Sequence, residues 1–165
     1  MLKMTLGGIL CFISAYLGIV GKNYYEKRYK YLASFNDYLL ALVDGISYSK
    51  DRLPEISKKY LAQSKGGFSK DLQSFISVIE RVGEEEKIEN CFNCKYLKKQ
   101  DKAYFNDFFS SLGKVDYDTQ LSKLNMSKAE MEKILAKAEK DKKTTGNVLS
   151  KLGLLIGITI MIILV

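Results

Sequence analysis

The stretch of sequence that decides the fold is Met4–Gly21, which reads MTLGGILCFISAYLGIVG and carries no charged side chain over 18 residues. A helix rises about 1.5 Å per residue, so this stretch would reach about 27 Å, close to the ~30 Å hydrocarbon core of a bilayer. The alternative is a cleaved signal peptide. Cutting after Gly18 would place Tyr16 at the −3 position, which requires a small residue. We therefore predict an uncleaved transmembrane helix at residues 4–21.

A second apolar stretch, Leu152–Val165, lies at the other end of the sequence. Its 14 residues would reach about 21 Å, but starting at Val148 extends the helix to about 27 Å if Lys151 snorkels to the interface. A buried core helix is the alternative, but this stretch is apolar on all faces, which suits lipid better. The sequence thus predicts a second transmembrane helix at residues 148–165.

The charges of this 165-residue chain lie between these two stretches. Residues 22–151 contain 25 of the 26 Lys plus Arg and all 19 Asp plus Glu, and the net charge is +7. A simple soluble protein is therefore disfavoured. The chain has no His, which excludes Ser-His and Cys-His catalysis and any zinc site that needs imidazole. We expect a protein that is not an enzyme and has no cofactor or metal.

Cations flank both stretches on the side of the central segment. Four follow the first stretch and four precede the second: Lys22, Lys27, Arg28 and Lys30, then Lys140, Lys142, Lys143 and Lys151. Because cytoplasmic flanks of membrane helices are enriched in Lys and Arg, we predict a cytoplasmic domain at residues 22–147 with both termini on the far side of the cell membrane. These cations favour anionic membrane lipid over nucleic acid as a partner.

Apolar residues in the central segment recur every three or four positions, as in amphipathic helices. One long stripe leads away from the first apolar stretch and another leads towards the second: Tyr25, Tyr29, Leu32, Phe35, Leu39, Leu42 and Ile46, then Leu121, Leu124, Met131, Leu135 and Ala138. Pro54 begins a short helix, and Gly83 and Gly113 are candidate C-caps of two more. No segment alternates as a strand does. The predicted fold is all-α, an antiparallel helical bundle flanked by N- and C-terminal transmembrane helices.

Small residues recur four apart in both apolar stretches, at Gly7, Cys11 and Ala15 and at Gly153 and Gly157. Such stripes allow close approach of helix backbones in lipid. We expect them to support helix–helix packing, within the chain or between copies.

Cys91 and Cys94 form a C-x-x-C pair. A structural zinc needs four ligands, and the central segment holds no other Cys and no His. We interpret the pair as two reduced cysteines in a helix.

Four segments resemble the stage III sporulation protein AB family of endospore-forming bacteria. They are Ile46-x-Tyr48, Leu53-x-Glu55, Leu112-Gly113-Lys114-x-Asp116-x-x-x-Gln120 and Leu152-Gly153-Leu154-Leu155-Ile156-Gly157. The resemblance implies a non-enzymatic membrane platform subunit of the channel complex between mother cell and forespore. Its helical domain would be similar to the platform proteins of type II secretion and type IV pili.

The implied partners are a secretion-type ATPase, stage III sporulation protein AA, and other channel subunits. The implied location is the mother-cell membrane that engulfs the forespore. A membrane-tethered cytoplasmic sensor or adaptor that binds partner helices is the alternative.

The best-matched cytoplasmic segment is the turn at 112–120, where Gly113, Asp116 and Gln120 are candidate partner-binding residues. Gly113 and Asp116 are also suited to purely structural roles, as the C-cap of one helix and the N-cap of the next. A docking site for the ATPase at this turn and a simple pair of helix caps are both open interpretations.

Overall fold

A computed structural model describes residues 2–49, 52–80 and 91–164. Within these ranges the chain is helical and contains no β-strand, which confirms the predicted all-α class. The helices are α1 (Leu2–Asp44), α2 (Leu53–Gln63), α3 (Gly67–Glu80), α4 (Lys99–Ser111), α5 (Tyr117–Asp141) and α6 (Asn147–Leu164). Two π-helical segments, Gly45–Ser49 and Lys142–Gly146, follow α1 and α5.

The helices form two compact units. Unit 1 consists of Met1–Tyr29 and Ala136–Val165, and unit 2 consists of Lys30–Leu135. Both the first and the fifth helix therefore contribute residues to both units.

Unit 1 is an antiparallel helix pair. A Cβ atom at Gly157 would lie 3.0 Å from the Cys11 carbonyl oxygen, and one at Gly146 would lie 3.7 Å from Cβ of Tyr25. Residue numbers thus rise along α1 as they fall along the partner helix, which is the register of an antiparallel pair.

The π-helical segment Lys142–Gly146 sets which side of α6 faces α1. Gly153 and Gly146 are buried and lie seven residues apart, but the next buried residue back along the chain is Ala138, eight residues away. A π-helical turn holds one more residue than an α-helical turn, so the segment absorbs the extra position. The face of α6 that carries its glycines is thereby brought into line with Ala138 within unit 1.

Unit 2 is built around an aromatic core. The rings of Phe92 and Phe109 stack with centroids 4.0 Å apart, and those of Phe35 and Phe105 lie 4.5 Å apart. All four side chains are buried. Burying a Phe side chain typically stabilises a fold by about 1.5–3 kcal/mol, so these rings are a major stabilising element of the unit.

Tyrosine hydroxyls in unit 2 bond to other elements of the same unit. Tyr38 is fully buried and its hydroxyl lies 2.8 Å from Ser57 Oγ, while Tyr31 donates to Asp71 Oδ2 at 2.6 Å. Burial and the hydrogen bond to Asp71 raise the pKa of Tyr31, and burial raises that of Tyr38. A buried hydroxyl left without a partner would cost about 1–3 kcal/mol, and these bonds avoid that cost.

Individual Pro and Gly residues mark several of the helix ends. Pro54 lies in the first turn of α2, as predicted. The helix that carries the predicted stripe from Tyr25 to Ile46 is α-helical to Asp44 and continues as a π-helix from Gly45 to Ser49. A Cβ atom at Gly45 would lie 2.7 Å from Cδ1 of Ile56, so the glycine allows Ile56 to approach the backbone there. The C-cap predicted at Gly83 lies outside the described residues.

The prediction of a helix around the two cysteines is wrong. Cys91 lies in a turn, Cys94 lies in irregular backbone, and α4 begins only at Lys99. Phe92 between them is 1% exposed and packs into the aromatic core. Its burial is a tertiary interaction that outweighs the local preference for a helix, which is weak in this short segment.

Candidate functional site

The turn between α4 and α5 contains the three residues predicted to bind a partner. Gly113 has φ = 76°, a left-handed conformation that favours glycine, and lies just after α4. It is exposed, and a Cβ atom built there would meet nothing within 4 Å. The predicted helix stop is confirmed, and its surface is open to solvent.

Asp116 is the N-cap of α5. Its Oδ2 atom accepts a hydrogen bond of 3.1 Å from the backbone N–H of Thr119, one of the N–H groups that a helix start leaves without a partner. Hydrogen bonds from Thr119 lower the pKa of Asp116, so its exposed carboxylate is charged at neutral pH. Gln120 lies in the first turn of the same helix and is half-buried. The structure thus brings the three residues into one turn.

Sequence reasoning missed a tertiary contact at this turn. Tyr117, the first residue of α5, donates a 3.1 Å hydrogen bond to the carbonyl oxygen of Ile46 in the first π-helical segment. Tyr48 lies in the same segment and is 85% exposed. No pattern of spacing could have revealed this contact, because the two segments are about 70 residues apart and carry no shared motif.

The small residues of unit 1 form a seam between α1 and α6. A Cβ atom at Gly153 would lie 2.8 Å from the Ser14 carbonyl oxygen and 2.9 Å from Cα of Gly18. The hydroxyl of Ser14 also donates to the Gly153 carbonyl oxygen at 2.8 Å. Backbones in such close contact allow only glycine at these positions without a shift of one helix.

The five residues predicted to pack in the membrane contribute unequally to this seam. Gly153 and Gly157 contact α1 directly, and a Cβ atom at Gly157 would lie 3.0 Å from Sγ of Cys11. Gly7 is buried and Ala15 is half-buried. The seam lies within the chain, whereas the sequence left packing between copies equally open.

A partly buried ion pair lies in the same unit. Arg28 is 3% exposed, and its guanidinium contacts the Asp141 carboxylate at 3.3 Å. The Lys142 ammonium lies 4.7 Å from the ring centroid of Tyr29, within cation–π range. From the sequence, Arg28 and Lys142 could be recognised only as flanking cations, because the acid that pairs with Arg28 is distant in the chain.

Among the residues that the structure describes, two continuous helices are long and apolar enough to cross a membrane. These candidate spans are Thr5–Tyr48 and Tyr117–Ile163, and only 11% and 17% of their most apolar stretches are buried. The core helix of a soluble protein would be mostly buried instead. Phe12, at 82% exposed, and Ile163, at 78%, illustrate the apolar surface that remains uncovered.

A comparison with known protein families identifies one whose match covers nearly the whole chain. The family described as stage III sporulation protein AB matches residues 3–165. The chain belongs to the stage III sporulation protein AB family. No curated protein and no solved structure matches it. The family description assigns this member a role in sporulation, and it names no enzymatic activity.

The net positive charge of this family member is concentrated in unit 1. That unit contains nine Lys plus Arg against three Asp plus Glu, whereas unit 2 contains 17 against 16. Six of the seven net positive charges therefore belong to the unit that holds the exposed apolar stretches.

The cysteine pair lines a cleft of about 750 Å³ on unit 2, together with Asp71, Lys70 and Asn93. Burial and the neighbouring Asp71 raise the pKa of Cys91, so its thiol is protonated at neutral pH. Among the described residues no group of three or more His, Cys, Asp or Glu is placed to hold a metal ion. The described residues of the cleft thus provide neither a reactive thiolate at Cys91 nor a complete set of metal ligands.

Proposed function

We propose that this protein is a non-enzymatic, two-span platform subunit of the sporulation channel complex between mother cell and forespore. It would couple a cytoplasmic secretion-type ATPase, stage III sporulation protein AA, to the membrane assembly. Membership of the stage III sporulation protein AB family over residues 3–165 supports this role.

The observation that carries the proposal is the division of properties between the two units. Unit 1 combines two exposed apolar stretches, an internal glycine seam and nearly all of the net charge. Unit 2 has its own aromatic core and a nearly balanced charge. A membrane anchor joined to a separately packed helical unit is the arrangement that a platform needs.

The distribution of cations supports a cytoplasmic location for unit 2. The segment that joins the apolar stretches carries the Lys and Arg residues, and such segments stay on the cytoplasmic side. We place the spans at residues 4–21 and 148–165 in the mother-cell membrane, with residues 22–147 in the cytoplasm. Lys151 is exposed and available to anionic lipid.

The turn between α4 and α5 is the proposed ATPase contact. Gly113 and Asp116 are exposed there, and the carboxylate of Asp116 offers a charge on a rigid helix start. Rigid presentation favours binding, because little conformational entropy is lost on docking.

Fractionation of sporulating cells tests the coupling role. The ATPase should be recovered with membranes from cells that make the wild-type chain and in the soluble fraction from cells that lack it. Asp116→Asn keeps an N-cap residue but removes the charge, so it should reduce ATPase recovery while leaving the level of the chain unchanged. Glu132→Gln, which removes an exposed acid elsewhere on α5, is the matched control. Membrane recovery of the ATPase in the absence of the chain would overturn the proposal.

A further inference from the structure

The antiparallel register of unit 1 brings the inner ends of the two apolar stretches to the same level. A Cβ atom at Gly21 would lie 3.3 Å from Cδ1 of Leu149, and one at Gly146 would lie 3.8 Å from Cα of Lys22. Gly21 ends the first proposed span, and the second begins at residue 148. The two proposed spans therefore share one boundary on the side of residues 22–147.

Lys151 lies beyond this boundary, among the apolar residues. It follows Leu149 by two positions, which places it about 3 Å further along the helix and away from the boundary. Its side chain is exposed, so it faces the surroundings of the helix pair rather than the seam. Residues 5–25 and 142–164 contain no Asp or Glu, so these segments supply no carboxylate to pair with it. The charge of Lys151 therefore requires a partner from outside this part of the chain.

The direction of α6 allows this cation to reach lipid headgroups. In a helix the Cα–Cβ bonds tilt towards the N-terminus, and long side chains follow that direction. The N-terminal residue of α6, Asn147, lies on the side of the shared boundary. The Lys151 side chain is therefore directed back towards the boundary, so its stem can stay in hydrocarbon while its ammonium group meets the headgroups.

The exposed face around Lys151 matches the layout of a phospholipid. Asn147 is exposed four residues before it and is its neighbour on the helix surface, so an amide donor lies beside the ammonium group. On the opposite side, one turn deeper, Leu154 and Leu155 are 52% and 57% exposed. The face thus carries polar donors at the headgroup level and apolar side chains at the acyl level. A soluble anion or a lone carboxylate would use only the polar half.

We propose that Lys151 and Asn147 form a binding site for the phosphate group of an anionic lipid in the cytoplasmic leaflet. This inference rests on the proposed function, because the two-span topology places α6 in the bilayer. It adds a defined site to the general attraction between cations and anionic lipid. A net negative headgroup is preferred, because the phosphate of a zwitterionic lipid is already compensated by the cation of its own headgroup.

Native mass spectrometry of the full chain in detergent tests the inference, with phosphatidylglycerol and phosphatidylcholine as the added lipids. Wild type should retain more phosphatidylglycerol than phosphatidylcholine. Lys151→Gln should lower phosphatidylglycerol retention about fivefold, the effect expected for one Lys near anionic lipid. Lys151→Arg keeps the charge and should stay within about twofold of wild type. Asn147→Ala removes one hydrogen bond and should lower retention about threefold.

Lys143→Gln is the matched control. It removes one positive charge from an exposed position of the same unit, but Lys143 already pairs with Glu139 at 2.6 Å. This variant should retain phosphatidylglycerol like wild type. An equal loss in Lys143→Gln and Lys151→Gln would show a diffuse attraction without a site and would overturn the inference.

Further outcomes separate the inference from the proposed function. If alkaline carbonate extracts the wild-type chain from membranes, the two-span topology fails, and the proposed function and this inference fail with it. If the chain stays in membranes but Lys151→Gln or Asn147→Ala retains phosphatidylglycerol like wild type, the inference fails and the platform role stands. Displacement of the lipid by inorganic phosphate would show a site for soluble anions and overturn the inference. Unchanged lipid retention with an altered oligomeric state in Lys151→Gln would assign Lys151 to a second copy of the chain, which overturns it as well.

Discussion

Adding one methyl group at Gly153 should loosen the pairing of the two apolar helices. A Cβ atom there would lie 2.8 Å from the Ser14 carbonyl oxygen, 2.9 Å from Cα of Gly18 and 3.1 Å from its backbone nitrogen. All three are backbone atoms, so no side-chain rotation can relieve the contact and one helix must shift. Overpacking of this kind typically costs about 1–3 kcal/mol.

The effect of this contact on the free energy of unfolding can be isolated by comparison with a glycine that has open space around it. Gly8 lies on the same helix as Gly18, and a Cβ atom there would meet nothing within 4 Å. Both substitutions to Ala gain helix propensity of up to about 1 kcal/mol, but only Gly153→Ala introduces the clash. The difference between the two variants should therefore be about 1–3 kcal/mol in free energy of unfolding.

The assay is denaturant unfolding of the full chain in mixed micelles, followed by circular dichroism. Gly8→Ala should be as stable as wild type or slightly more stable, whereas Gly153→Ala should unfold at lower denaturant. Gly18→Ala should resemble Gly153→Ala, because its Cβ atom would lie 2.8 Å from the Leu149 carbonyl oxygen. Equal stabilities for Gly8→Ala and Gly153→Ala would refute the seam as a close backbone contact.

Three further predictions concern topology, the core and the helix cap. A reporter that is active only in the cytoplasm should be active when fused after Lys99 and inactive after Val165, and activity at Val165 would show that the last helix does not span. Leu39 is fully buried, so Leu39→Ala should cost about 2–5 kcal/mol of unfolding free energy, whereas Met126→Ala at an exposed position should change it little. A loss below about 0.5 kcal/mol for Leu39→Ala would exclude its place in the core. At neutral pH Asp116→Ala should lower the melting temperature more than Asp116→Asn does, because Asn keeps the helix cap and loses only the charge. Because the folded-state pKa of Asp116 lies below its unfolded value, its charge-dependent stabilisation is present above the unfolded pKa and is lost as pH falls through the folded pKa. A melting temperature of Asp116→Ala equal to wild type at both neutral and acidic pH would rule out the cap.

Local chemistry made parts of the candidate site predictable. Gly113 and Asp116 could be assigned from sequence because a positive φ and an N-cap each depend on one residue and its immediate neighbours. The contact between Tyr117 and Ile46 could not, because it joins segments far apart in the chain. The same holds for Arg28, whose burial depends on Asp141.

The sequence by itself determined the helical class, the two apolar stretches and the positions of several helix ends. These properties depend on periodicity, on length and on single residues such as Pro54 and Gly113, so they are encoded locally. The tertiary structure alone decided which small residues meet across the seam, and it placed Phe92 in the aromatic core rather than in a helix. A periodic pattern identifies the face that will be buried but not the surface that will cover it, because that surface is supplied by residues distant in the chain.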